Sequence, residues 1–470
     1  MAITTELETM PPTLRPAGLA TLLLGAALAP IDLFIVNVAL PTINADLHAS
    51  TAALEWVVAG YGIAFALLLV VGGRLGDAFG RRRLFSTGLA AFTLTSLICG
   101  LAPNVTVLVL ARIAQGSAAA LIVPQVLSII QATTSGEHRS RTLGYYGATA
   151  GLAMVIGQLL GGVLVSADIA GSGWRPIFLV NVPLGVLGWA LARRTLPETS
   201  SDHPLGVDRR GTALLGVTLL TLLIPLLEGR ALGWPAWCWV LLGLFPFAAA
   251  AFVAVERRME ADGGVPLLPM SVLRLPSMRR GLSIGATFFT GFGGFMFVYA
   301  LTLQDGLHLD PFSSGLALTP LALGFLVTSL ASSRLVARIG HRVVVLGSAV
   351  QLLGLLVLII TVLAAWPRLD VLDLVPGTLV AGLGQGLTGP TIFRVVLSRV
   401  PSESAGVGSG VLTTTQQTCL ALGVAVLGTL FTTLSAGGDV EYALVLVTGV
   451  QAVTVAGIVV AANFLPDPRA

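Results

Sequence analysis

Two charges interrupt apolar runs that carry no other charge. Asp32 lies in AALAPIDLFIVNVAL and Arg112 in VLVLARIAQGSAAAL. A charge in such a stretch is costly, and it marks a function or a partner of opposite sign. At 1.5 Å per residue, Asp32 falls about six residues, roughly 9 Å, from the outer end of its run. Arg112 falls about seven residues, roughly 10 Å, from the outer end of its own. Opposite charges at matching depth suit a pair, and Pro30 loosens the helix beside Asp32 by freeing the carbonyl of Ala26. The chemistry open to them is proton exchange at Asp32, with a competing solute sensed through Arg112. A structural ion pair that only orients two helices is the other reading. Glu228, Asp305 and Asp373 lie near run ends, so Asp32 is read as the one acid well inside a span. That speaks against doubly charged cations, which would favour a second buried carboxylate.

A third charged stretch, GGRLGDAFGRRR (72–83), joins two apolar runs. It is no phosphate loop, because that chemistry needs a lysine and the chain has none. Gly73, Gly76 and Gly80 allow a tight turn and close approach of a neighbouring helix. Asp77, flanked by Arg81 and Arg82, could accept from a helix N-terminus or pair with an arginine elsewhere. The strip therefore reads as a gate latch or as a simple topology anchor, and Ala337 in place of Asp77 in a weakened copy favours the latch.

Polar and aromatic side chains within other runs could meet a ligand. Phe288, Phe292, Phe295 and Tyr299 recur at helical spacing as one stripe, which faces either a cavity, where it would stack on flat ligands, or lipid. Gln115, Gln304, Gln385, Gln416 and Gln417 could fix a ligand's orientation or tie neighbouring helices together. The five histidines show no metal-ligand spacing, and Cys99, Cys238 and Cys419 read as small buried hydrophobes. With no nucleophile–base cluster, no enzyme is expected, and no cofactor or metal.

The elements that must position these groups are membrane spans. The chain is 55% hydrophobic and 10% charged, against about 25% charged in a soluble domain. Its mean hydropathy is +0.91. About fourteen spans are expected, at roughly 17–38, 54–73, 84–101, 105–127, 142–166, 176–192, 211–229 and 236–255. The last six are expected at roughly 281–303, 313–333, 343–365, 374–395, 406–433 and 442–464. All arginines except Arg112, Arg175, Arg230 and Arg368 then fall on one side, which the positive-inside rule makes cytoplasmic, together with both termini. Arginines spread through short gaps in this way do not form a nucleic-acid face.

The chain also repeats. GGRLGDAFGRRR returns as SSRLVARIGHRV at an offset of 260, while Glu137, Gly144, Thr149, Gly157 and Gly162 return as Glu403, Gly410, Thr415, Gly423 and Gly428 at 266. The expected organisation is an N-terminal tail (1–16), a six-helix half (17–196), an inserted helix pair (211–255) and a second half (279–464). The implied fold is all-α and integral to the membrane, with a midplane cavity between two six-helix repeats.

On these residues the chain resembles the major facilitator superfamily. GGRLGDAFGRRR is similar to its signature between helices 2 and 3, and IDLFIVNVALPTI (31–43) resembles helix 1 of the fourteen-span drug:proton antiporter branch. ARIAQGSAAALIVP (111–124), WRPIFLVNVPLG (174–185) and GVLTTTQQ (410–417) are also similar. The helix 5 motif of that branch reads G-P-x-x-G-G. Here Gly157, Gln158, Gly161 and Gly162 stand in it, and an amide replaces the proline. The resemblance implies proton-coupled efflux of hydrophobic or monocationic drugs by alternating access, in a bacterial inner membrane and as a monomer. Export of a self-made antibiotic or lipid, or a non-transporting membrane sensor, stand as alternatives.

Overall fold

The computed structural model describes residues 14–134, 136–200, 208–229, 232–264, 266–400 and 405–467. Seven helices form the first part of the chain: α1 (Pro16–Leu47), α2 (Thr51–Phe79), α3 (Arg81–Gly100), α4 (Val105–Thr133), α5 (Gly136–Ser166), α6 (Pro176–Thr195) and α7 (Arg209–Glu228). Seven more follow: α8 (Ala236–Ala261), α9 (Pro276–Gly306), α10 (Pro311–Ile339), α11 (Arg342–Ala365), α12 (Val371–Leu397), α13 (405–435) and α14 (Val440–Ala461). Thirteen are long and apolar enough to cross a membrane, while α5 carries its apolar stretch in Ile156–Ser166. Chains in lipid must satisfy their backbone hydrogen bonds internally, and a helix does so within one segment.

Most helices outrun their apolar stretches. The largest difference is α1, expected to end near residue 38 and found to run to Leu47 through Pro41. Asp32 therefore lies about 22 Å from that helix end, not 9 Å, at 1.5 Å per residue. The apolar-run rule stops at the first polar group, whereas a helix continues into water until a cap or a short loop ends it.

Helix starts differ between the two faces. On the arginine-poor face, Ser50, Asn104, Asp310, Asp370 and Asp439 cap α2, α4, α10, α12 and α14 with side-chain oxygens. On the other, α3 and α11 begin with Arg81 and Arg342 and have no side-chain cap, whereas α7 begins with Arg209 behind a capping Asp208. Cations at the positive end of a helix dipole are unfavourable, so charge placement outweighs capping at α3 and α11.

Helices α1–α6 form one half and α9–α14 the other, and their packing repeats. In the first half α1 packs on α5, and α4 on α2 and α3; in the second α9 packs on α13, and α12 on α10 and α11. Helices α2 and α10 are related by the 260-residue shift at both ends, and each closes on a glycine of positive φ, Gly80 or Gly340. The halves meet reciprocally, α2 on α13 and α5 on α10, with α7 and α8 packed on each other and α7 against α2.

Candidate functional site

Asp32 and Arg112 meet, and neither is exposed to solvent. Arg112 Nη1 donates to Asp32 Oδ2, while Oδ1 accepts from Gln115 Nε2 at 2.8 Å and from Asn181 Nδ2 at 2.9 Å. Three helices build this arrangement. On α4, Arg112 and Gln115 share a face through their i, i+3 spacing; α1 supplies Asp32, and α6 supplies Asn181 from its second turn. Gln115 also donates to Ser96 Oγ at 2.8 Å and accepts from Arg112 Nη1 at 2.7 Å. The arginine is held further by Nε donating to the Val57 carbonyl at 2.9 Å, and its guanidinium lies 4.4 Å from the centre of the Tyr61 ring. Every partner of the pair belongs to the first half.

The cluster is nearly saturated. Removing two charges from water is compensated only when their remaining donors and acceptors are also paired. Here Arg112 Nη2 and Asn181 Oδ1 remain buried without a protein partner. Gln115, expected to line a ligand cavity, belongs instead to this charge network.

The helix 5 glycines explain how α1 comes so close. A Cβ at Gly157 would stand 2.8 Å from the Ile31 carbonyl, and one at Gly161 2.9 Å from that of Ile35. Gly162 meets Gly315 of α10, joining the halves on the arginine-poor side. Gln158, where the motif has proline, is buried with both amide atoms unpartnered.

Within the glycine–arginine strip, Asp77, Arg81 and Arg82 are paired inside their own half. Arg81 bonds Asp77 at 2.8 Å, four residues back, and Arg82 reaches Glu198, beyond α6, at 3.3 Å. Asp77 thus makes its ion pair inside the strip rather than with an arginine of the other half. Gly76 lets Gln125 of α4 pass, since a Cβ there would overlap its amide, whereas a Cβ at Gly73 would meet Pro124 at an ordinary 3.7 Å. At Gly80 the φ of 99° is one that glycine adopts freely.

The aromatic stripe is buried in protein, and it divides along its length. Phe288 stacks on Phe292, whose ring meets Phe34 of α1 edge-on at 6.1 Å across the halves. Phe295 and Tyr299 stack on each other and turn toward α11 and α14, beside Leu358, Val362 and Leu444. An open apolar cleft of about 320 Å³ lies between α1, α5 and α10, lined by Leu23, Tyr145, Thr149, Leu152, Leu326 and Leu330, of which Tyr145, Leu152 and Leu330 are exposed. Gln304 donates to the Val38 carbonyl at 2.7 Å and so ties α9 to α1. Gln385 is buried with its amide unpartnered, while Gln416 and Gln417 are half-buried on α13.

Some functional residues escaped the sequence reading. Asn181 and Ser96 complete the Asp32 cluster, and Glu198 anchors the strip. Asn181 lies in WRPIFLVNVPLG, which carried the family resemblance without marking the amide itself, and Ser96 gave no signal. Glu55 is a buried acid that the sequence reading passed over: it lies one turn into α2, near a span end, is 2% exposed and packs against Gly428 of α13.

Fold and site together define a multi-pass membrane protein of two repeated six-helix halves, with a buried ion-pair cluster in one of them. The Major Facilitator Superfamily model matches residues 22–424. The chain is 38% identical over 423 residues to the probable actinorhodin transporter of Streptomyces coelicolor, covering 90% of this chain and 73% of that one. It is 32% identical over 408 residues to the multidrug resistance protein Stp of Mycobacterium tuberculosis, covering 86% and 74%. A crystal structure of the peptide transporter POT in complex with sulfate shares the fold, with a TM-score of 0.70 at 15% identity over 97% of this chain and 98% of that one. The chain belongs to the major facilitator superfamily.

Proposed function

We propose that this protein exports a small hydrophobic compound from the cell, driven by protons moving inward, as its two halves rock about a central site. The observation that carries this reading is the Asp32–Arg112–Gln115–Asn181 cluster, held wholly inside one half and out of water. A proton on Asp32 Oδ2 cancels the charge that holds Arg112 Nη1. The guanidinium then keeps Val57, Gln115 and the Tyr61 face, and its freed N–H joins the already unpartnered Nη2 as a donor for substrate. A cationic substrate reaches Asp32 only by displacing Arg112, whereas a proton needs no such space. We assign the arginine-rich face and both termini to the cytoplasmic side, on the positive-inside rule, and the protein to a bacterial inner membrane. The exporter acts as a monomer, without a cofactor.

One relative is named for a single compound and the other for multidrug resistance, so a dedicated exporter of one antibiotic is the second reading. Transport in inside-out vesicles under an imposed pH gradient tests the first. Wild type accumulates a lipophilic dye and Asp32→Asn does not. Accumulation that ignores the gradient, or survives Asp32→Asn, would falsify the coupling.

A further inference from the structure

The inserted helix pair is fastened to the rest of the molecule by a buried charged node. Asp208, 6% exposed, caps α7 by accepting from Gly211 N at 2.8 Å, and it accepts Leu267 N at 3.3 Å. Glu256 of α8, with no exposed surface, accepts Leu268 N at 2.7 Å. Glu260, one turn on, accepts Met270 N at 2.9 Å and Ser271 N at 3.1 Å. Four carboxylate–amide bonds thus staple the segment that leads into α9. Into the same place comes Arg74 of α2, 6% exposed, donating from Nη2 to the Pro266 carbonyl. Arg74 belongs to the glycine–arginine strip, and its guanidinium lies in the field of both Asp208 and Glu256. The strip therefore does reach beyond its own half, through Arg74 and not Asp77, to the segment that starts the second half.

The two acids are close neighbours. A Cβ on Gly211 would lie 2.2 Å from Asp208 Oδ2 and also 2.2 Å from Glu256 Oε1. Glycine at 211 is thus a steric requirement of the pair. Glu256 Oε1 is buried and accepts from no protein donor. Two adjacent buried carboxylates cannot both stay ionised at modest cost. Among the described residues, the charged groups facing Glu256 are Asp208 and Arg74. With both acids ionised, Asp208, Glu256 and Arg74 together carry one excess negative charge; with one shared proton these three are neutral, Glu260 being engaged one turn on by Met270 N and Ser271 N.

We propose that Asp208 and Glu256 share a proton, and that this neutral pair together with Arg74 clamps the inserted helices to α2, setting how far the arginine-rich side can open. The proton sits between Asp208 Oδ2 and Glu256 Oε1, and it returns to water on that side when the clamp releases. These are positioning residues, remote from the Asp32 cluster, and their role in transport rests on the function proposed above.

Spin labels at Phe79 and Arg257, both exposed at the arginine-rich ends of α2 and α8, report the clamp in the full chain in nanodiscs. The native cysteines, being buried, stay unlabelled. Glu256→Gln keeps an acceptor for Leu268 N and offers Asp208 a donor, so it keeps the narrow wild-type distance distribution. Glu256→Ala and Arg74→Met broaden it and slow export about tenfold, as expected for loss of one charged contact, while substrate affinity is unchanged and Arg74→Lys partly rescues. Raising the pH broadens the wild-type distribution but not that of Glu256→Gln. The clamp is refuted if Arg74→Met leaves the distribution intact, and the shared proton if Glu256→Gln matches Glu256→Ala. The distances and their pH profile stand whether or not export proves proton-driven, so the two readings fail separately.

Discussion

The two halves share a frame and differ in what they put inside it. In the first half Gly157 of α5 passes the Ile31 carbonyl of α1; in the second Gly423 of α13 passes the Thr290 carbonyl of α9. Gly116 of α4 sits on the Tyr61 carbonyl, as Gly382 of α12 sits on that of Leu321. One turn before those glycines stand Arg112 and Thr378. The arginine enters a four-residue ionic network, whereas the threonine bonds its own helix at Leu374. Beyond Ile31 comes Asp32, and beyond Thr290 comes Gly291, whose carbonyl accepts from Gln451. Backbone packing was retained in both copies and charge in one. If export is proton-driven as proposed, the charge that couples it is separable from the shared helix frame, and substitutions can test that separation.

The largest effect is expected where the charge is. Arg112→Ala leaves the Asp32 carboxylate buried with only amide donors, which costs about 3–5 kcal/mol. At the matching place Thr378→Val loses one local hydrogen bond, costing about 1 kcal/mol. Thermal unfolding in detergent measures both. Equal losses would mean that the second half hides a network of its own. Asp32→Asn with Arg112→Gln, which removes both charges, should regain much of the stability but none of the proton coupling.

How much of this was legible depended on whether the signal was local. Spans and the duplication could be read because lipid demands long apolar runs and short arginine-bearing gaps. Among the described residues, however, thirteen helices and not fourteen have the length and apolarity to span, α5 falling short. Asp32 and Arg112 were visible as charges out of place. Asn181, Ser96 and Glu198 were not, because serine and asparagine are common in helices and only the packing of α3, α4 and α6 makes partners of them. The ends of α1 and the other helices were obscure for another reason: water tolerates a helix beyond the apolar run. The Arg74 node was hidden because its members, 74, 208 and 256, are joined by the fold and by no motif. Glycine 211 gave no hint that two carboxyl groups exclude its side chain.

A middle-sized effect should distinguish the two glycine seams. A Cβ at Gly423 would come 2.0 Å from the Thr290 carbonyl, against 2.8 Å for Gly157 and Ile31. Both are closer than real contacts permit, and carbonyls of packed helices yield little. Gly423→Ala should cost about 2–3 kcal/mol and Gly157→Ala about 1 kcal/mol, the range for overpacking. Their transport should differ in the opposite sense. Gly157→Ala moves α1 and with it Asp32, so its pH–rate profile shifts, whereas Gly423→Ala lowers the yield of folded protein without moving the profile. A shift in both would mean that the second half helps set the proton site.

The smallest effect on stability is expected at Gln385. Its amide is buried and makes no hydrogen bond to protein, so the fold gains nothing from its polarity. Replacing a buried unsatisfied polar group by an apolar one of similar shape is close to neutral or stabilising. Gln385→Leu should therefore unfold within about 1 kcal/mol of wild type. Gln115→Leu should not, because it strips donors from Asp32 and Ser96 and an acceptor from Arg112. If the Gln385 amide is kept for a ligand, the leucine variant will raise the KM for export while leaving the response to the pH gradient as it was. A marked loss of stability in Gln385→Leu would instead give that glutamine a structural partner, and the neutral half would then owe its form to polar contacts of its own.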